Sequence, residues 1–147
     1  MTDAYQTIRL GGENRNAESL GDFVAWLVTN NLLDPVLEEH VGREAARVKM
    51  QDLTGPAFLT TVLHGELKPA HLTAKGKRFC ELYLASGDYD RDFEALEYHQ
   101  LKHKGDNEWL RYDAISPKIS EAFRKLTQPE SPLKKLAGKI IQFPAKR

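Results

Sequence analysis

The chain has 147 residues, 41% of them hydrophobic and 29% charged, and its acidic and basic side chains balance to a formal net charge of zero. Those values suit one folded domain over residues 1–147, able to bury a core without metal or disulfide staples, and they exclude wholesale disorder. Lone Cys80 excludes an internal disulfide, and no apolar run approaches the roughly 18 residues needed to cross a bilayer.

The opening Met1-Thr2-Asp3-Ala4-Tyr5 has no basic stretch followed by an apolar one, so the expected address is the cytoplasm. Charge is segregated along the chain. Residues 118–147 carry eight Lys and Arg against Glu121 and Glu130, a balance of +6 that residues 1–117 offset with −6. The body is acidic, and a basic tail occupies 128–147.

In chain order, Tyr5 to Leu10 lean towards a short strand before Gly11-Gly12. Ser19 with Asp22 reads as a capping box, and Leu20, Phe23, Val24, Leu27 and Val28 recur at helical spacing, predicting a helix over about 20–31. Asp34-Pro35 starts a second helix, whose stripe of Leu37, Val41, Ala45 and Val48 runs to about residue 50. Gly55-Pro56 opens a short third one, with Phe58, Leu59, Val62 and Leu63 on one face until Gly65 stops it.

Thr73 caps a fourth helix that buries Phe79, Leu82 and Tyr83 and ends at Gly87. Asp88 caps a fifth, with Tyr89, Phe93, Leu96 and Gln100 aligned, to about Lys104-Gly105. Glu108 to Tyr112 is ambiguous between strand and turn, and Ser116-Pro117 starts a sixth helix carrying Ile119, Ala122, Phe123 and Leu126. The expected fold is therefore all-α, a bundle of about six short helices, with a small terminal β-ribbon if the first and last apolar stretches meet.

Several of these residues together resemble a family of uncharacterised bacterial proteins, a domain of unknown function. The resemblance runs through Phe23-Val24-Ala25-Trp26-Leu27, Leu32-Leu33, Leu53-Thr54-Gly55, Phe58-Leu59 and Gly65-Glu66-Leu67. It continues through Leu72-Thr73, Gly76, Phe79 and the segment from Tyr89 to Phe93, so that it covers about residues 20–93. It implies a shared fold, and it brings no activity or catalytic residue with it.

Candidate chemistry is sparse. His99 and His103 stand four apart, the spacing of two metal ligands on one helix face, but residues 99–103 read His-Gln-Leu-Lys-His, without the Glu of the zinc-protease helix, and Lys102 and Lys104 repel a cation. Solvent-facing histidines are the better account. Asp88, Asp90, Asp92 and Glu94 alternate like a calcium loop, yet Phe93 holds the position that needs Gly and His99 the one that needs Glu. They read instead as an acidic helix start favoured by the helix dipole, and as a docking patch for a basic partner.

Cys80 sits in a helix stripe beside Phe79 and Glu81, and its expected place is the core rather than a nucleophile's site. Leu72-Thr73 with Gly76 resembles the segment after the wing of winged-helix DNA-binding proteins, but residues 65–71 are short for a wing. Residues 56–64 also hold no Lys or Arg to neutralise phosphate. In the tail, Leu133, Leu136, Ala137 and Ile140 would share a helical face opposite Lys134, Lys135 and Lys139. That basic amphipathic element is expected to fold back or to meet an acidic partner, rather than to lie on a membrane.

The expected function is that of a non-enzymatic protein–protein interaction or regulatory protein, of the immunity type among others. Its partner would be another protein met through Asp88, Asp90 and Asp92 and through Lys134, Lys135 and Lys139; no cofactor, catalytic residue or metal is expected. Two rival readings are a small hydrolase using His99 or His103 and a nucleic-acid binder using residues 118–147.

Overall fold

A computed structural model of the chain describes residues 4–8, 16–99 and 108–127. Within them the fold is mainly α, with seven α-helices and one two-stranded antiparallel ribbon. The first helix, α1 (Ala17–Thr29), is the hub, because every residue from Leu20 to Val28 is buried. A helix apolar all round has no solvent face, so the rest of the chain must wrap it.

Helix α1 begins earlier than its capping box implies. Asn16 occupies the N-cap, and Ser19 donates its hydroxyl to the Asn16 carbonyl at 3.3 Å from inside the first turn. Asp22 is drawn from the expected cap into the interior, where it meets a cation described below. The predicted second helix is two: α2 (Pro35–His40) and α3 (Gly42–Lys49) join at Val41. Its start is as predicted, with the Asp34 carboxylate accepting from the N–H groups of Val36 and Leu37.

Helix α4 (Gly55–Thr61), capped by Thr54, lies against α1 more closely than any other element. Two glycines make this contact, since a Cβ on Gly21 would overlap the Pro56 backbone and one on Gly55 would overlap the Gly21 carbonyl. Helices that touch backbone to backbone leave no room for a methyl group.

Next, strand β2 (Glu66–Leu67) pairs with β1 (Gln6–Thr7), Gln6 opposite Leu67 and Thr7 opposite Glu66. The ribbon thus exists, but its second strand comes from the middle of the chain and not from the last apolar stretch, which lies outside the described residues. Gly65 supplies the bend before β2 at φ +82°, directly beneath Ile8. Leu33 makes an isolated antiparallel bridge to Leu72 that ties the end of α1 to the start of the next helix.

Between β2 and that bridge a 3₁₀ turn, Pro69–His71, folds the chain back. His71 Nδ1 accepts the Lys68 N–H at 3.1 Å, which requires a neutral ring. Burial first, then the Lys68 charge, lowers the His71 pKa below its ordinary 6.5, against a smaller opposing pull from Glu66. The unfolded chain takes up this proton more readily than the folded one, so the turn's contribution is complete above the ordinary value and is lost as the pH falls below it. The melting temperature of wild type should therefore drop more between about pH 7 and about pH 5 than that of His71→Asn, whose amide oxygen accepts without titrating. Equal pH slopes would refute this.

Helix α5 (Ala74–Phe79), capped by Thr73, runs into a π-helical turn, Cys80–Leu84, and Gly87 ends the segment at φ +91°. Helix α6 (Asp88–His99) follows. The last described element, α7 (Glu108–Thr127), begins eight residues before the predicted Ser116-Pro117 start, so the ambiguous Glu108 to Tyr112 is helix and Pro117 lies inside it. Trp26, Phe79 and Phe123 meet with centroids 5.1–5.4 Å apart, a ring cluster that joins α1, α5 and α7. Trp26 also donates its indole N–H to the Ser120 hydroxyl at 2.9 Å.

Candidate interaction groove between α6 and α7

Helices α6 and α7 pack on each other and on the π-helical turn, and between them opens a cavity of about 360 Å³. Asp88, Arg91 and Asp92 come from α6, Lys118, Glu121, Ala122, Lys125 and Leu126 from α7, and Tyr83 lies at the base. Helical periodicity builds both walls: residues 88, 91 and 92 share one face of α6, and 118, 121, 122 and 125 one face of α7. The Tyr83 phenol, buried in the core, donates a short hydrogen bond to the Asp92 carboxylate. Burial and then that bond raise the Tyr83 pKa, so it stays a donor at physiological pH.

The groove carries both signs of charge. Arg91 pairs with Asp88 at 2.9 Å and Lys125 with Glu121 at 3.6 Å, each pair on one wall. Lys118 has no ion-pair partner among the described residues, and Leu126, 37% exposed, gives the mouth an apolar edge. Sites for small molecules are mostly apolar with a few polar groups. This lining is instead mostly charged, with only Tyr83, Ala122 and Leu126 among its residues uncharged.

The three acids predicted as a docking patch part company. Asp88 and Asp92 enter the groove, while Asp90 accepts from Gln6 Nε2 of the ribbon at 3.3 Å. The alternating sequence hides this, because on a helix residues two apart face different ways. His99 is the last residue of α6, and its side chain lies outside the described residues, as do His103, Lys134, Lys135 and Lys139. Sequence reasoning placed Tyr83 in the core and counted Lys118, Glu121 and Lys125 within the basic end, but it did not join them, or Arg91, to the acids of α6. The signal was there in the i, i+3 and i+4 spacing of opposite charges on two successive helices.

Cys80 is fully buried in the π-helical turn, and burial followed by the Glu81 charge raises its thiol pKa far above the usual range. It should resist iodoacetamide in the native protein at neutral pH and alkylate readily in denaturant. Rapid native labelling would contradict its burial. Among the described residues no group of three or more His, Cys, Asp or Glu side chains is placed to hold a metal ion, and no helix is long and apolar enough to cross a membrane.

The chain is thus a mainly α-helical protein built on one wrapped helix, with a charged groove between its last two described helices. It belongs to the family defined as the domain of unknown function DUF7832, whose profile matches residues 9–105. No curated protein and no solved structure matches the chain. The matched span contains α6 and stops short of α7, so the groove has one wall inside the family segment and one outside it.

Proposed function

We propose that the protein is a non-enzymatic interaction protein of the bacterial cytoplasm that regulates or neutralises another protein by docking one of its segments in the α6–α7 groove. The observation that carries this reading is the groove lining, where carboxylates, a guanidinium, ammonium groups and the exposed edge of Leu126 converge on one cleft. Such a mixture recognises a chain by charge order and sets specificity and encounter rate more than raw affinity. Phe123 ties α7 to the aromatic cluster, and Tyr89 ties α6 to Phe23 and Tyr83, so both walls are preorganised.

The test is affinity capture from the native host with wild type and with Lys118→Glu, at low and at high salt. Lys118 is exposed, so this variant should keep its melting temperature and lose whichever partner wild type retains, by about tenfold or more in affinity. If wild type and variant retain the same proteins equally, the groove is not the docking site. Repeated failure of wild type to retain any protein defeats the interaction reading itself.

A further inference from the structure

Ion pairing is unevenly spread over the described surface. Arg47, Lys49, Lys68, Arg91, Arg111 and Lys125 each sit on a carboxylate. Lys75, Lys77 and Arg78 of α5 and Arg124 of α7 are exposed, and none has an ion-pair partner among the described residues. Helix α5 packs on α7, and Lys75 Nζ stands 5.8 Å from the centroid of Phe123, the neighbour of Arg124. Lys75 therefore stands at the seam of α5 and α7, with Arg78 one turn along the same face of α5 and Arg124 next to Phe123 in the chain.

The local chemistry could have paired them. Glu81 lies four residues after Lys77 and three after Arg78, within reach on a regular helix, yet the backbone enters its π-helical turn at Cys80 and no pair forms. Gly76 and Phe79 face inward and hold α5 against the core, so its cations cannot rotate out of the way. Lys75 and Arg78, three apart on one face of α5, repel one another, and an arriving anion relieves that repulsion.

We propose that the α5–α7 seam is a docking surface for an acidic polypeptide segment, distinct from the α6–α7 groove and additional to the function proposed for it. Polypeptide is favoured over nucleic acid by the exposed acid Glu81, three residues after Arg78 on the π-helical turn. A phosphate backbone bears a charge at every step and calls for an unbroken basic track. Carboxylates on a protein segment can be set opposite Lys75, Arg78 and Arg124 and kept away from Glu81.

The experiment is fluorescence anisotropy of the full chain with a labelled poly-glutamate peptide and, separately, an oligothymidylate of equal charge. The peptide should bind at low salt and be released as salt rises. Lys75→Met/Arg78→Gln/Arg124→Gln, in which Met keeps the aliphatic cover over Phe123, should weaken it by about tenfold or more. Arg43→Gln on α3 and Lys118→Gln in the groove should change it by less than about twofold. The single variants are measured alongside, so a folding defect in the triple one cannot hide the result.

Absence of peptide binding, or equal loss in the Arg43 and Lys118 variants, would overturn the proposal, as would tighter binding of the oligothymidylate than of the peptide. Loss confined to the Lys118 variant would return acidic partners to the groove and leave the seam without a role.

Discussion

Gly55→Ala should cost about 3 kcal/mol or more, or abolish cooperative folding, in urea denaturation followed by Trp fluorescence. The new methyl group would overlap the carbonyl oxygen and carbon of Gly21, backbone atoms in the middle of a wrapped helix, and press on the Ala25 methyl. Side chains can change rotamer to admit an extra carbon, whereas α1 cannot move without disturbing the core it anchors. Gly21→Ala should behave alike, for its Cβ would overlap the nitrogen, Cα and Cγ of Pro56. Gly42→Ala is the internal control: nothing lies within 4 Å of its Cβ position, and in helix α3 alanine should be neutral or stabilising by up to about 1 kcal/mol. Should Gly55→Ala prove as stable as Gly42→Ala, the α1–α4 contact described above is wrong.

The second large effect is expected at Arg111 and Asp22. Arg111 Nε donates to Asp22 Oδ2 at 2.8 Å and Nη2 to Oδ1 at 3.3 Å, a forked pair whose side chains are 10% and 3% exposed. Glu18 stands 3.7 Å from the same guanidinium. Removing one partner strands a buried charge, so Arg111→Met or Asp22→Leu alone should cost about 3–5 kcal/mol. The double variant should lose much less than the sum, because it leaves neither charge behind. Strict additivity, or single losses under about 1 kcal/mol, would show that the pair is not buried as a unit. High salt should weaken this pair far less than exposed Arg47–Asp52.

That ion pair also shows where local reading of the sequence stops. The starts of α2 at Asp34-Pro35 and of α4 at Gly55-Pro56, the Thr73 cap and the Gly87 terminus were all legible, since each is set by groups within four residues of one another. The extent of α7 was not. Pro117 reads as a helix start because it lacks an N–H, and the aromatic residues before it lean towards strand. What holds residues 108–116 helical is tertiary: Arg111 reaches Asp22 across 89 positions, and Ile115 is buried in the common core. The same limit explains Asp22, whose place three residues after Ser19 mimics a cap, and the ribbon, whose two-residue strands have no periodicity to read.

The candidate site was half legible. Asp88 and Asp92 were identified as acids on a helix start, but the partner wall belongs to α7, whose position relative to α6 is a matter of packing. Tyr83 was correctly assigned to the core, yet its phenol also reaches Asp92 at the base of the groove. A reading by apolar stripes sees the ring and misses the hydroxyl.

A helix enclosed on every side has a history during translation. Ribosomes add roughly 5–20 residues each second, so the aspartate of α1 leaves the exit tunnel roughly 4–18 s before the arginine made 89 positions later. Throughout that interval Trp26 and Phe23 lack part of their final cover, and the nascent chain presents the kind of apolar segment that holding chaperones grip. Yields of soluble protein should accordingly depend on how quickly codons between those two points are read.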